Sequence, residues 1–270
     1  SMDYNSVYLL ENTIDPLVYK EVQNNDVNIE RIKTISALIS NKRSFVCASV
    51  DALFGFLPKF DKFANSIIKL EYHDIVNREE FIGKLTQMGY KRVERVEKPC
   101  EFSVRGEVVD IFPINEDSAV RLDFFDIQLQ TIKKFNPTDM ENLIDVDDVE
   151  ICPCTDLLIS DVEIEEAIQK LEALKNADYN SVDSRVRFET IENDIISKLK
   201  MGDRSFNLDY IFPLIKDNLS TLFDYLKQDT IIVIDEAKLV YDALEKFDTD
   251  YKTRKKMLDA TGEILQTKEP

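Results

Sequence analysis

The chain has 270 residues, 44% of them hydrophobic, which is enough to bury one large core or two ordinary ones. Its formal net charge is −18, from 34 Lys and Arg against 52 Asp and Glu, and this charge opposes binding of DNA or RNA by the surface as a whole. The sequence contains no apolar run approaching about 18 residues and no signal-peptide pattern at its start. We therefore expect a folded cytoplasmic protein without membrane contacts.

Helix and strand patterns alternate in residues 1–65. Isoleucines recur at helical spacing in "NIERIKTISALISN", which predicts a helix. The short apolar run "SFVCASV" reads as a buried strand, and a further helix around "VDALFGFLP" stops at Pro58. This alternation is typical of an α/β layer.

Residues 66–152 change to one helix followed by short strands. "NREEFIGKLTQMG" offers Asn77 as N-cap and Gly89 as the stop of the helix. The candidate strands lie at 90–96, 100–105, 107–113, 119–125, 129–135 and 148–152. The spacing predicts a mostly antiparallel sheet module with one helix packed on one face.

Helical patterns return in residues 153–265. They cover "DVEIEEAIQKLEALKN", "ETIENDIISKLK" and "LSTLFDYLKQ", and "TIIVIDEAKLVYDALEKF" then reads as an apolar strand that passes into a helix. Residues 266–270 look like a linker.

The stretch "IIVIDE" resembles the strand that carries a magnesium-binding Asp-Glu pair in nucleotide hydrolases. That chemistry needs a phosphate-binding loop, and the six glycines form no such pattern. A buried strand with a helix cap explains Asp235 and Glu236 more readily. We predict no catalytic residue and no cofactor.

The four cysteines and the single histidine give little support for a metal site. Cys152 and Cys154 lack the C-x-x-C spacing that suits zinc, so we expect them, with Cys47 and Cys100, to be buried thiols. His73 has no ligand partner nearby in sequence and is expected to be an ordinary surface residue.

One basic segment stands out against the acidic chain, since residues 84–106 carry six basic and three acidic side chains. Strand alternation in "EFSVR" turns Arg105 outward, and alternation in "VRLDFF" turns Arg121 and Phe125 outward. Two arginines and an aromatic on a rigid sheet have the composition of a protein interface. A solvated strand face with incidental salt bridges fits the pattern equally well.

Three segments carry a family resemblance: "GYKRVERVEKPCEFSVRGEVVDIFP", "VRLDFFDIQLQTIKKFNPTD" and "VEICP". They resemble the module shared by the bacterial transcription-repair coupling factors (Mfd) and the excision-repair protein UvrB, with Cys100 where the motif usually has glycine. The later stretch "DYIFPLIKDNLSTLFDYLKQDTIIVIDEA" is similar to the coupling factors. The chain therefore resembles the amino-terminal UvrB-like region of that family.

The resemblance implies an α/β plus α+β fold. Residues 1–65 and 153–265 would form a degenerate RecA-like domain without a P-loop, into which the module 66–152 is inserted. The module would bind UvrA, the damage-recognition subunit of nucleotide excision repair, through Arg105, Arg121 and Phe125. The chain itself would be a monomer. It would act as a non-enzymatic adaptor, because the family's translocase motor and its contacts with DNA and RNA polymerase lie elsewhere.

Two alternatives remain open at this point. A UvrB-like fragment would grip DNA or nucleotide, and its DNA binding would weaken steeply with salt. An autoregulatory surface would fold against the parent factor's own carboxy-terminal part and would be compatible with UvrA binding.

Overall fold

The computed structural model describes residues 7–10, 17–19, 29–39, 45–53, 55–155, 158–174, 181–201, 208–215 and 219–263. The chain divides into two units. The first unit comprises Ser1–Leu9, Val27–Cys47 and Pro58–Leu158, and the second comprises Leu10–Asp26, Ala48–Leu57 and Ile159–Pro270. The predicted linker at 266–270 lies outside the described residues.

Helices and strands are mixed along the chain, as expected. The strands are β1 (Val7–Leu10), β2 (Phe45–Ala48), β3 (Leu57–Pro58), β4 (Ile68–Glu71), β5 (Lys91–Arg92), β6 (Glu101–Arg105), β7 (Val108–Ile111), β8 (Ala119–Phe125), β9 (Gln128–Asn136), β10 (Asp139–Val146), β11 (Asp148–Ile151) and β12 (Leu219–Ser220). The helices are α1 (Ile29–Ile39), α2 (Val50–Leu53), α3 (Phe60–Ser66), α4 (Arg78–Gln87), α5 (Asp161–Leu174), α6 (Val182–Lys200), α7 (Phe212–Ile215) and α8 (Ala237–Thr261), with short 3-10 turns at Leu208–Ile211 and Leu222–Tyr225.

A six-stranded sheet forms the centre of the first unit. Its strand order is β10-β9-β8-β7-β6-β5, and every described pair is antiparallel except β5 with β6. The mostly antiparallel sheet predicted for the module is therefore confirmed.

Helix α4 packs on one face of this sheet. The Asn77 side chain accepts hydrogen bonds from the backbone N–H groups of Glu79 and Glu80, at 3.0 and 3.2 Å, which satisfies two donors of the first turn. The helix stops before Gly89, whose φ of 88° suits glycine. Its buried Phe81 lies 6.3 Å, between ring centroids, from Phe124 of β8. The predicted helix and its packing on one sheet face are confirmed.

Three strand predictions in the module need correction. The strand expected at 90–96 is reduced to β5. Val93 N–H still donates to the backbone oxygen of Phe102 at 2.8 Å, and the chain leaves the sheet after it. Strand β10 forms at residues for which the sequence predicted no strand, and β11 pairs with β4 and not with the main sheet. A register irregularity between Asp139 and Ile144 interrupts the alternation of β10, so its pattern has no period of two.

The remainder of the first unit includes α1 and the β1–β2 pair. Helix α1 forms where its isoleucines predicted it and buries Ile32 and Ile35. Strand β2 also forms, but its expected burial is wrong, because Phe45 and Cys47 are exposed. Within the described residues β2 pairs only with β1, so it is an edge strand.

The second unit is mainly helical in its described part. Buried side chains of α5 and α6, including Ile168, Leu171, Phe188 and Ile195, form its core. The helix expected around 50–58 ends at Leu53, and the helix expected at 219–228 is replaced by β12 and a 3-10 turn. None of the helices in the described ranges has the length and apolarity needed to cross a bilayer.

The apolar run 231–234 departs most from expectation. Its four residues are exposed and form no strand, although α8 follows as predicted. β-Branched residues favour a strand only when a neighbouring strand supplies backbone partners. The run pairs with no strand among the described residues, so its local pattern does not become a buried strand.

Candidate protein-interaction surface

Strand register places the three predicted site residues on one face of the six-stranded sheet. Arg105 of β6 pairs with Val108 of β7, and Val108 in turn pairs with Asp123 of β8. Along β8, Arg121 and Phe125 each lie two residues from Asp123. Directly opposed residues share a face, and so do residues two apart on one strand. We call this side of the sheet the arginine face; the other side carries Leu122 and Phe124 towards α4.

Phe125 ends β8 and remains largely in solvent, with 69% of its surface exposed. It pairs with Gln128 across the two-residue turn formed by Asp126 and Ile127, where Asp126 has a φ of 58°. A tight turn of this kind holds both strand ends in a fixed register. Phe125 is therefore an exposed aromatic side chain on a well-defined backbone.

Arg121 is anchored within the sheet. Its guanidinium donates two hydrogen bonds to the Asp110 carboxylate, at 2.7 and 2.8 Å, and it lies 5.4 Å from the centre of the Phe135 ring. The hydrogen bonds that Arg121 donates to Asp110 raise the pKa of Arg121, and burial opposes that rise. The side chains of Arg121 and Asp110 are only 22% and 4% exposed. Arg121 is therefore held in place by Asp110, and about a fifth of its side chain remains exposed.

Arg105 is exposed at the end of β6 and holds a loop. Its Nη2 donates to the backbone oxygen of Glu94 at 2.7 Å. The segment after β5 covers part of the arginine face, because Val96 is buried in a cluster with Ala119 and Phe135. The sheet's own loop thus covers the Ala119 end of β8, and the Phe125 end stays open.

Sequence reasoning missed Asp110, the acidic partner of Arg121. Asp110 lies within the apolar stretch "VVDIFP" and alternates onto the arginine face between Val109 and Ile111. A carboxylate that is nearly fully buried requires a partner. In the antiparallel register of β7 and β8, Arg121 lies directly opposite Asp110. A sequence prediction of that register would have identified the pair.

The cysteine predictions are only partly correct. Cys100 and Cys154 form a disulfide with a Cα–Cα distance of 5.7 Å, so neither is a thiol, and Cys47 is exposed. Cys152 is the predicted buried thiol, and burial raises its pKa to about 11. Among the described residues, no three His, Cys, Asp or Glu side chains form a metal-binding group.

The remaining sequence candidates lie in two places. Asp235 and Glu236 belong to the second unit, where they form the turn that leads into α8 after the exposed run 231–234. His73 has a φ of 75°, and its ring centroid lies 3.8 Å from that of Tyr72.

Comparison with known proteins finds a family that resembles the sheet module. Residues 68–157 match the UvrB interaction domain family. The sheet module is thus similar to the UvrB interaction domain. The matched range includes the whole six-stranded sheet and therefore the three arginine-face residues predicted from the sequence.

Relatives extend the likeness beyond the domain. The transcription-repair-coupling factor of Bacillus subtilis is 23% identical over 82% of this chain, that of Staphylococcus haemolyticus 28% over 82%, and that of Staphylococcus aureus (strain bovine RF122 / ET3-1) 29% over 80%. The chain spans about a fifth of these relatives' own length, 19% in each case. The chain is thus similar to part of the transcription-repair-coupling factors.

Proposed function

We propose that this chain is part of a bacterial transcription-repair coupling protein and that its UvrB interaction domain binds UvrA. The observation that carries the proposal is the open end of the arginine face, where Arg105, the partly exposed Arg121 and Phe125 lie on one rigid sheet within that domain. Arginine and aromatic side chains of this kind supply much of the binding energy at protein interfaces. UvrA is then the protein that covers Phe125.

The chain acts in this proposal as an adaptor in the bacterial cytoplasm and performs no catalysis of its own. Its sequence has no phosphate-binding loop, and its net charge of −18 disfavours general contact with DNA. Contacts with DNA and RNA polymerase belong to other parts of the longer protein. The α/β parts around the module correspond to a degenerate RecA-like domain, a proposal that rests on the resemblance of residues 209–237.

Titration of the chain against purified UvrA, by calorimetry or surface binding, tests the proposal. The informative variants are Phe125→Ala and Arg105→Ala, because both side chains are exposed and their loss should leave the sheet folded. We expect each to raise Kd about tenfold or more, which corresponds to about 1.4 kcal/mol.

Two control variants match these changes elsewhere in the chain. Arg92→Ala removes an exposed arginine of β5 that pairs with Phe102 and so lies on the other side of the sheet. Phe223→Ala removes an exposed phenylalanine of the second unit. Both should bind UvrA like the parent chain, and equal losses in controls and test variants would refute the assignment of the face.

The same samples separate the adaptor from a DNA-gripping fragment. Titration with an oligonucleotide at low and moderate salt should give no tight binding by this acidic chain. Tight oligonucleotide binding with a steep salt dependence, together with no binding of UvrA, would replace the proposal by the UvrB-like alternative.

A further inference from the structure

The segment 73–76 adds an extra edge to the sheet beside the β8–β9 turn; we call it the rim segment. His73 N–H donates to the backbone oxygen of Leu129 at 3.0 Å, and Leu129 N–H donates to that of Asp74 at 2.9 Å. Val76 N–H donates to the oxygen of Ile127 at 2.7 Å. Three backbone hydrogen bonds therefore fix the rim segment against the start of β9.

This pairing brings Ile75 onto the arginine face. Gln128 pairs with Phe125 on one side and with Ile75 on the other, so the three side chains form one lateral row. Neighbouring strands lie about 4.8 Å apart, which places the backbones of Ile75 and Phe125 about 10 Å apart. Ile75 is 67% exposed, almost as much as Phe125.

A third exposed apolar side chain, that of Ile127, lies at the tip of the β8–β9 hairpin. Scattered single apolar residues are normal on a protein surface, but a contiguous exposed group is typical of an interaction site. Here Phe125 and Ile75 flank Gln128 in one row, and hydrogen bonds already hold the backbone that carries them, so binding requires little ordering.

We propose that Ile75 is a further contact residue for UvrA, so that the docking surface runs from Arg105 and Phe125 across Gln128 to the rim segment. This inference rests on the proposed function. It requires the facing surface of UvrA to be apolar opposite Phe125 and Ile75 and acidic opposite Arg105. The occupant is the same partner because the row is continuous with the arginine face.

A matched pair of isoleucine variants tests this inference. The control is Ile144 of β10, which is 65% exposed. Ile144 pairs with Lys134, and Lys134 pairs with Val120. Ile144 therefore lies on the side of the sheet opposite to Phe125. In titrations with purified UvrA, we expect Ile75→Ala to raise Kd about tenfold and Ile144→Ala to change it less than twofold. Circular dichroism should show that both variants remain folded, since neither side chain is buried.

The outcomes separate the two proposals. If Phe125→Ala weakens binding and Ile75→Ala binds like the parent chain, Ile75 is not a contact and only this inference fails. If both isoleucine variants lose affinity equally, the effect is not specific to the row and the inference is again overturned. If the parent chain does not bind UvrA at all, the proposed function fails and the inference fails with it.

Discussion

Removal of Arg121 should destabilise the sheet as well as weaken any docking. Arg121→Ala leaves the Asp110 carboxylate, 4% exposed, without the guanidinium that donates two hydrogen bonds to it. Breaking a buried ion pair from one side costs about 3–5 kcal/mol, since a charge is left buried and unpaired. Arg121 itself is 22% exposed, so water can partly replace it, and we expect a loss of about 3 kcal/mol in the free energy of unfolding.

Urea unfolding combined with hydrogen exchange of peptides from β7 and β8 measures this loss in the first unit. Arg105→Ala is the control, because it removes an exposed side chain with one hydrogen bond to a carbonyl oxygen and should cost less than about 1 kcal/mol. The double variant Asp110→Leu/Arg121→Met should recover most of the stability, since apolar groups of similar volume often replace a buried ion pair without loss.

Two results would refute this reasoning. One is an Arg121→Ala variant that loses less than about 1 kcal/mol, and the other is a double variant no more stable than the single one. If the reasoning holds, a loss of UvrA binding by Arg121→Ala does not identify a contact, because the sheet around it has changed. Arg105 and Phe125 are then the informative positions for docking.

Three further predictions concern other parts of the chain. Gly262→Ala should lower the free energy of unfolding by at least about 2 kcal/mol, since Gly262 has a φ of 73° and a Cβ there would lie 2.1 Å from a backbone oxygen at the start of α6. The control Gly83→Ala in α4 adds a Cβ with nothing within 4 Å, so it should be neutral or stabilising in the same urea experiment. Similar effects of the two substitutions would contradict the steric argument. With a disulfide-exchange reagent at about pH 8 and no reductant, the exposed Cys47 should react rapidly. Cys152 should react only after unfolding, because burial raises its pKa to about 11. Two fast-reacting thiols in the folded chain would show that Cys152 is accessible. Backbone amides of 231–234 should exchange within seconds in this chain, and slow exchange would indicate that they belong to a strand after all.

Local patterns predicted those elements whose determinants lie close together in sequence. Helix α4 carries its own cap at Asn77 and its own stop at Gly89, so the sequence alone locates it. The alternation of β8 is likewise complete within seven residues, and its apolar side meets α4 while Phe125 remains exposed. This is why the face shared by Arg105, Arg121 and Phe125 could be anticipated before the register was known.

Features that depend on distant partners could not be predicted in this way. Asp110 and Arg121 are 11 residues apart, and Cys100 and Cys154 are 54 apart, so only the folded sheet brings each pair together. The run 231–234 shows the converse case, in which a strong local strand pattern finds no strand partner among the described residues. Ile75 was missed for the same reason, because its face is set by a single bridge to Gln128.

Cys100 stands where the motif usually has glycine, and it forms a disulfide with the distant Cys154. Its φ of 67° is a left-handed conformation that glycine, the residue usual at this position of the motif, adopts freely and that costs another residue about 1 kcal/mol. The disulfide to Cys154 closes a loop of 54 residues, which in the chain-entropy description stabilises the fold by about 4 kcal/mol. The cysteine should therefore stabilise the module only while it is oxidised.

Urea unfolding with and without dithiothreitol tests this balance. We expect the oxidised chain to be the most stable, Cys100→Gly to be intermediate, and the reduced parent chain to be the least stable, by about 1 kcal/mol relative to Cys100→Gly. Cys154→Ser serves as the control, because it removes the disulfide and keeps the strained residue, so it should match the reduced chain. A reduced parent chain as stable as Cys100→Gly would mean that the left-handed conformation relaxes once the disulfide is opened, and the glycine of the motif would then need a different explanation.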